Sequence, residues 1–152
     1  MAHSMKILGI DFGLARVGLA VTDPDGRMAF PRATIVRTTR AALFDEILAV
    51  IASEGIGRIV IGRPEPMDGV PGREAETVRQ IENFAASLAR RTTLPISFVD
   101  ETLSSAQAAG DLREAGLSGR RLREALDAQA AVRILNTYLT AQRPKNGDPC
   151  VT

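Results

Sequence analysis

One apolar run in this chain ends on an acid: Met5-Lys6-Ile7-Leu8-Gly9-Ile10-Asp11-Phe12-Gly13. Read at a period of two, Ile7, Gly9 and Asp11 share one face of a strand, and Leu8, Ile10 and Phe12 share the other. A carboxylate at the end of such a strand is costly unless it meets a counter-charge. Gly9 clears space beside the acid, and Gly13 lets the backbone leave at an angle closed to other residues. A second apolar strand, Arg16-Val17-Gly18-Leu19-Ala20-Val21-Thr22, follows a short loop holding Leu14 and Ala15. A carboxylate held rigidly between two paired strands suits a metal or phosphate site. An Asp that caps the turn is the plainer alternative.

The pattern beyond this opening completes one α/β domain. Asp23-Pro24-Asp25-Gly26 is a turn signal leading to a third strand around Met28 to Val36, so the chain begins as an antiparallel meander. Thr38 or Thr39 can cap a helix from about Ala41 to Ser53, with Leu43, Ile47, Leu48 and Ile51 on one stripe and Gly55 as its stop. Arg58 to Gly62 is a short strand of the type buried on both faces. The loop from Arg63 to Gly72 is punctuated by Pro and Gly, as a flap over substrate or as a stiff surface loop. A helix is expected from Arg73 to about Arg91, with Val78, Ile81, Phe84, Ala85 and Leu88 facing the core. Pro95 to Val99 is another strand, ending in Asp100-Glu101; a short helix follows Ser104 or Ser105, and a last helix runs from about Ser118 to Ala141. This order predicts a mixed five-stranded sheet, its first three strands antiparallel, with helices on both faces. Residues 1–4 read as a tag or start-site remnant, 5–141 as the single domain and 142–152 as a flexible tail.

Composition narrows the chemistry. The only histidine is His3 in the leading segment, and the only cysteine is Cys150 in the tail. The body of the domain therefore has no disulfide, no Cys/His zinc site and no Cys–His nucleophile. Catalysis, if present, falls to carboxylates acting through a hard cation. No apolar run approaches the ~20 residues that span a bilayer, and no signal peptide opens the chain. The expectation is a cytoplasmic protein with no membrane partner. Net charge is only +1, but seventeen of the nineteen basic residues are arginine. Guanidinium suits bidentate phosphate contacts. One Tyr, five Phe and no Trp leave little material for a base-stacking platform.

Three acids stand out by placement. Asp11 is the first. Glu101 lies just past a strand end, where sites gather in open α/β sheets. Its neighbour Asp100 points the other way if the strand stays extended, and is held in reserve. Asp127 lies inside the apolar stripe of the last helix, since steps of three, four, seven and eleven reach Ala130, Ala131, Ile134 and Tyr138. An unpaired carboxylate there costs several kcal/mol or takes up a proton. A buried arginine or a shared metal ion would satisfy it. Ala128, Ala130 and Ala131 are small enough to let the helix lie close to the sheet. Three such acids can converge on two Mg²⁺ or Mn²⁺ ions ~4 Å apart, which activate water and stabilise the leaving oxygen of a phosphodiester.

At these residues the chain resembles the YqgF proteins, also called RuvX, which are Holliday-junction-resolvase-like pre-16S rRNA nucleases of RNase H-like fold. Four segments carry the resemblance in order: Ile10-Asp11-Phe12-Gly13 with Arg16-Val17-Gly18-Leu19-Ala20; Ile59-Val60-Ile61-Gly62 with Pro64 and Met67-Asp68-Gly69; Val99-Asp100-Glu101 with Leu103-Ser104-Ser105; and Leu126-Asp127-Ala128 with Ala130-Ala131. Together they cover about Lys6 to Leu139. The resemblance implies that Asp11, Glu101 and Asp127 are metal-binding catalytic acids, that Mg²⁺ or Mn²⁺ is the cofactor, and that pre-rRNA or branched DNA is the substrate. Arg16 sits at a family position beside the metal strand, where it would touch phosphate or form a salt bridge. Ser104 lies in the third matching segment. Arg120, Arg121 and Arg123 precede the last helix and suit backbone phosphates or a solvated helix start. Two positions depart from the family pattern. Arg63 stands where Leu is frequent, and Thr102 where Arg is frequent. The second removes a charge beside Glu101 that Arg63 could partly replace.

Three functions are compatible with these residues. The first is a two-metal nuclease on structured RNA, or, as a variant, a resolvase on branched DNA; a resolvase should be a symmetric dimer. The second is an ATP-binding protein of the sugar-kinase, actin and Hsp70 type, which also opens on a strand, an Asp and a hairpin. Those proteins need two such lobes, and one lobe uses this whole chain. The third is a non-catalytic nucleic-acid-binding module for ribosome assembly, which should tolerate Asp11→Asn. Monomer and homodimer both remain open.

Overall fold

The computed structural model describes residues 5–13, 15–64, 73–100 and 119–142. Five strands form one sheet: β1 Lys6–Phe12, β2 Arg16–Thr22, β3 Ala29–Val36, β4 Ile56–Arg63 and β5 Ile96–Asp100. Their order is β3-β2-β1-β4-β5. β1 pairs antiparallel with β2, and β2 with β3, whereas β4 runs parallel to β1, and β5 to β4. The mixed sheet with an antiparallel opening is the one expected from the sequence. Helices α1 (Arg40–Glu54), α2 (Arg73–Ala89) and α3 (Gly119–Gln142) complete the described elements. No helix among the described residues is long and apolar enough to cross a membrane.

Alternation along the strands builds two cores. Leu8, Ile10, Leu19, Ile59 and Ile61 face α1 and α2, where they meet Phe44, Ile47, Phe84 and Leu88. Ala20 and Val60 face the other way and are covered by Ala131, Ile134 and Leu135 of α3. A central strand between two layers is apolar on both faces, which is why β1 and β4 read as near-continuous apolar runs. The α1 stripe is turned slightly from the expected one: Phe44 and Val50 are buried with Leu43 and Ile47, while Leu48 and Ile51 are only partly covered.

Local chemistry sets the boundaries. Thr39, not Thr38, caps α1: its side chain accepts a hydrogen bond from the Ala42 N–H at 3.0 Å. Gly55 closes the helix in the left-handed region at φ 67°. β4 starts two residues earlier than its apolar pattern suggested. Ile56 pairs with Lys6, and a register shift after Lys6 then brings Arg58 opposite Ile7. The first hairpin is tied at its far end by Thr22. Its hydroxyl is buried, accepts from the Ile7 N–H at 2.9 Å and donates to the Asp23 carbonyl at 3.0 Å.

Candidate active site at the C-terminal edge of the sheet

Asp11 occupies the central strand of the sheet, opposite Gly18 of β2, and is half-buried. Strand parity places it on the face of Gly9, which α3 covers, because its neighbours Ile10 and Phe12 pack toward α1 and α2. The hairpin after it is tight. The Gly13 N–H donates to the Arg16 carbonyl at 3.0 Å, and a Cβ on Gly13 would stand 2.5 Å from that same oxygen. Arg37 braces this turn from β3's end. Its guanidinium donates to the Gly13 carbonyl at 3.1 Å and lies over the Phe12 ring, 4.7 Å from the centroid.

Gly9 does more than clear room for the acid. A Cβ there would fall 2.5 Å from Leu135 Cγ and 3.0 Å from the Ala131 carbonyl oxygen. The space it leaves is filled by the Leu135 side chain and the Ala131 carbonyl of α3, so helix and strand cross in close contact. Further along α3, the Tyr138 ring lies under the Arg58 guanidinium at 6.0 Å, and Arg58 is the register partner of Ile7. Moving from Ala131 to Tyr138 therefore moves from Gly9 back toward Ile7, and α3 runs antiparallel to β1. The four residues from Ala131 back to Asp127 rise about 6 Å. The two residues from Gly9 forward to Asp11 advance about 6.6 Å. The Asp127 backbone therefore comes to Asp11's end of the sheet, on Asp11's face.

The other expected residues fall in different places. Asp100 closes β5 opposite Arg63, exposed and on the face opposite Asp11. Its choice as reserve to Glu101 agrees with that parity. Arg63 is on this opposite face as well. It pairs with Glu82 at 2.8 Å and stacks over Phe98 at 4.3 Å. Arg16 opens β2 across from Val36 of β3 and is half-buried beside the Gly13 turn. Arg120 and Arg121 stand in the first turn of α3. The side chains of Arg120, Arg121, Arg123 and Asp127 lie outside the described residues, as do Glu101, Thr102, Ser104, the short helix expected after Ser104 and positions 65–72 of the expected flap. Among the described residues no three carboxylate, histidine or cysteine side chains come together.

One grouping in the fold has no counterpart in the sequence motifs. Three of the five phenylalanines gather on the α1/α2 face directly behind Asp11. Phe12 stacks on Phe84 with centroids 4.5 Å apart, and Phe44 stacks on Phe84 at 5.6 Å. Low aromatic content does not imply scattered aromatics. The available signal was Phe12 itself, which alternation sends to the opposite face from Asp11.

Comparison with known proteins agrees with this architecture. A family model described as "RuvX: Holliday junction resolvase" matches residues 5–141. A protein of Nitratidesulfovibrio vulgaris (strain DP4) named "Putative pre-16S rRNA nuclease" is 54% identical over 135 residues, covering 89% of this chain and 93% of the relative. A protein of the same name from Maridesulfovibrio salexigens is 53% identical, covering 89% of this chain and 98% of the relative. Among solved structures, Thermus thermophilus RuvC superposes with a TM-score of 0.55 at 17% identity, covering 91% of this chain and 96% of RuvC. The fowlpox virus Holliday junction resolvase gives 0.51 at 12% identity over 90% of this chain and 99% of its own. At such identities the likeness shows the fold alone, and that fold is the RNase H-like one.

Proposed function

The chain belongs to the RuvX family of Holliday junction resolvases, and from that membership and the name its relatives share we propose that it is a nuclease acting in the 5′ maturation of pre-16S rRNA. The observation behind this reading is the crossing of Gly9 with Ala131 and Leu135, which brings the Asp127 position to the end of β1 that carries Asp11. Glu101 is the next residue in the chain after Asp100, whose strand β5 ends at that same edge.

Asp11, Glu101 and Asp127 would hold Mg²⁺ or Mn²⁺. The donor set is entirely carboxylate oxygen, which suits hard cations, and the domain holds no histidine or cysteine to offer a softer site. A metal bound there would supply an activated water and stabilise the leaving oxygen of the phosphodiester. The chain's own task is to hold the carboxylates rigidly. Asp11 is fixed by ladder bonds to β2 and by the Gly13 turn that Arg37 braces. Arg16, Arg120, Arg121 and Ser104 would grip substrate phosphates near this edge, orienting the strand without reading its bases. Arg63 would join them only by exchanging Glu82 for phosphate. Precursor rRNA as substrate implies work in the cytoplasm.

The family description favours one second reading, cleavage of four-way DNA junctions. Symmetric cutting of two strands would then require a homodimer. Both readings meet in one experiment: a labelled pre-16S rRNA fragment and a four-way DNA junction are incubated with the protein in Mn²⁺ or EDTA, using wild type and Asp11→Asn. Loss of at least about a hundredfold in cleavage is expected for Asp11→Asn, the scale seen when one group that stabilises developing charge is removed. The better substrate decides between RNA and DNA. No cleavage of either, with binding unchanged in the variant, would overturn the enzyme reading in favour of a non-catalytic nucleic-acid-binding module.

A further inference from the structure

Behind Asp11, on the opposite face of the sheet, a cavity of about 260 Å³ opens between the end of β1, the first turns of α1 and the middle of α2. Phe12 and Phe44 supply apolar wall, Arg37 and Arg40 supply cations, and Gln80 and Asn83 supply carboxamides. Among the described residues no carboxylate lines it. Arg40 donates to the buried Ser87 hydroxyl at 2.8 Å and reaches over the Phe44 ring at 5.7 Å. Arg91 covers the same ring at 4.2 Å and is anchored to the Ser87 carbonyl at 2.8 Å. Among the described residues neither Arg40 nor Arg91 has a carboxylate within ion-pair distance. A guanidinium offers five N–H donors, and Arg40 spends one on Ser87.

Each chemistry in this cavity matches one part of a nucleotide. Flat apolar rings and guanidinium planes stack unpaired bases. Carboxamides carry donor and acceptor together, as the edges of bases do. Arginines clamp phosphate. The volume lies just below the ~300–1,000 Å³ usual for ligand sites, so one nucleotide is the largest fragment it admits. Phe12 directly follows Asp11, so the cavity starts one residue beyond the acid, across the same edge of the sheet. We propose that this pocket takes one unpaired nucleotide of the bound nucleic-acid strand, its base on the Arg37 guanidinium that covers Phe12, its phosphate on Arg40. The proposal rests on the nuclease reading for its substrate, but it concerns a second contact site that leads the strand over the sheet edge.

Binding in EDTA tests it apart from cleavage. A short single-stranded oligoribonucleotide carrying 2-aminopurine is titrated with wild type and with an Arg40→Gln/Asn83→Ala variant, both positions being exposed on their helices. A blunt RNA duplex of the same length serves as comparison, and AMP or inorganic phosphate is added as competitor. Loss of one charged and one neutral hydrogen bond should weaken single-strand binding at least about tenfold. Duplex affinity should stay within about twofold, AMP should compete better than phosphate, and 2-aminopurine fluorescence should be quenched only by wild type. Circular dichroism of the variant controls for folding, and Gln80→Ala gives an independent readout if the double variant is unstable. Equal single-strand affinity in wild type and folded variant, or competition by phosphate as strong as by AMP, would overturn the pocket. A protein that binds the strand through these residues yet cuts nothing in Mn²⁺ would retain the pocket and lose the nuclease reading.

Discussion

Replacing Gly9 with alanine isolates the contact on which the site depends. The added methyl would stand 2.5 Å from Leu135 Cγ and 3.0 Å from the Ala131 carbonyl oxygen. Rotating Leu135 relieves the first clash but not the second, because the second is with helix backbone. α3 must therefore move outward. Overpacking of this type costs about 1–3 kcal/mol. Alanine also restricts the unfolded chain, which returns about 0.4–1 kcal/mol. The net expectation is a loss of about 1–2 kcal/mol, or about 2–8 °C in Tm for a domain of this size. Thermal and urea unfolding followed by circular dichroism reads it. The cause is tested by a double-mutant cycle with Leu135→Ala, which alone should cost about 2–5 kcal/mol. In the double variant the methyl introduced by Gly9→Ala occupies part of the vacated space, so the pair should be less damaging than the sum by about 0.5–3 kcal/mol. A Gly9→Ala protein as stable as wild type, or a strictly additive pair, would refute the close crossing of strand and helix. The placement of Asp127 beside Asp11 would fall with it.

Two further measurements probe the supports of the sheet. Thr22→Val keeps the shape of the side chain but removes the oxygen that accepts from the Ile7 N–H. An orphaned buried amide costs about 1–3 kcal/mol, so urea unfolding should show a drop of that size with an unchanged m-value; no drop would mean that the Thr22 hydroxyl is not what satisfies β1. Glu54 joins Lys6 at 2.8 Å and Arg32 at 2.7 Å, and the hydrogen bond from Lys6, then that from Arg32, holds its carboxyl below the ordinary glutamate value of 4.5. A lowered folded-state value gives stability that is fully present above 4.5 and lost as pH falls through the folded value. The advantage of wild type over Glu54→Gln should accordingly be largest near neutral pH and shrink in acid. A difference that is flat in pH would remove the ion pairs from the account.

The fold was legible because each strand declares itself twice, by apolar content and by punctuation. β1, β2 and β3 are separated by Gly13 and by Asp23-Pro24-Asp25-Gly26, β4 is a short run buried on both faces, and β5 is a short apolar edge strand that is only half-buried. Boundaries were less legible where pairing overrides pattern: Ile56 and Gly57 look like a loop after Gly55 and become strand only because Lys6 pairs with Ile56 and Ile7 with Arg58, the register shift falling at Gly57 between them. The α3 stripe was read at three, four, seven and eleven residues from Asp127. Leu135, at eight, was missed, and it is the side chain that meets Gly9.

The site was legible to the extent that local periodicity can indicate a face. Alternation assigned Asp11 to the Gly9 face, and helical spacing put Asp127 on the stripe of Ala131. Neither pattern says that the two faces touch, because contact between a strand and a helix more than a hundred residues apart is a property of packing. Gly9 carries that information in its missing side chain. A glycine inside a strand weakens it, and is retained where another backbone must approach closely. Its position two residues before an acid on the same face thus has two consequences at once: α3 can settle against β1, and the acid that α3 carries one turn earlier comes level with Asp11. Arg63 shows the converse. In sequence it is a charge that could partly replace the one absent at Thr102; parity places it on the α2 face, where it pairs with Glu82 and lies over Phe98. Which face a charged residue takes decides what chemistry it can reach, and one residue of register separates Arg63 from the face that bears Asp11.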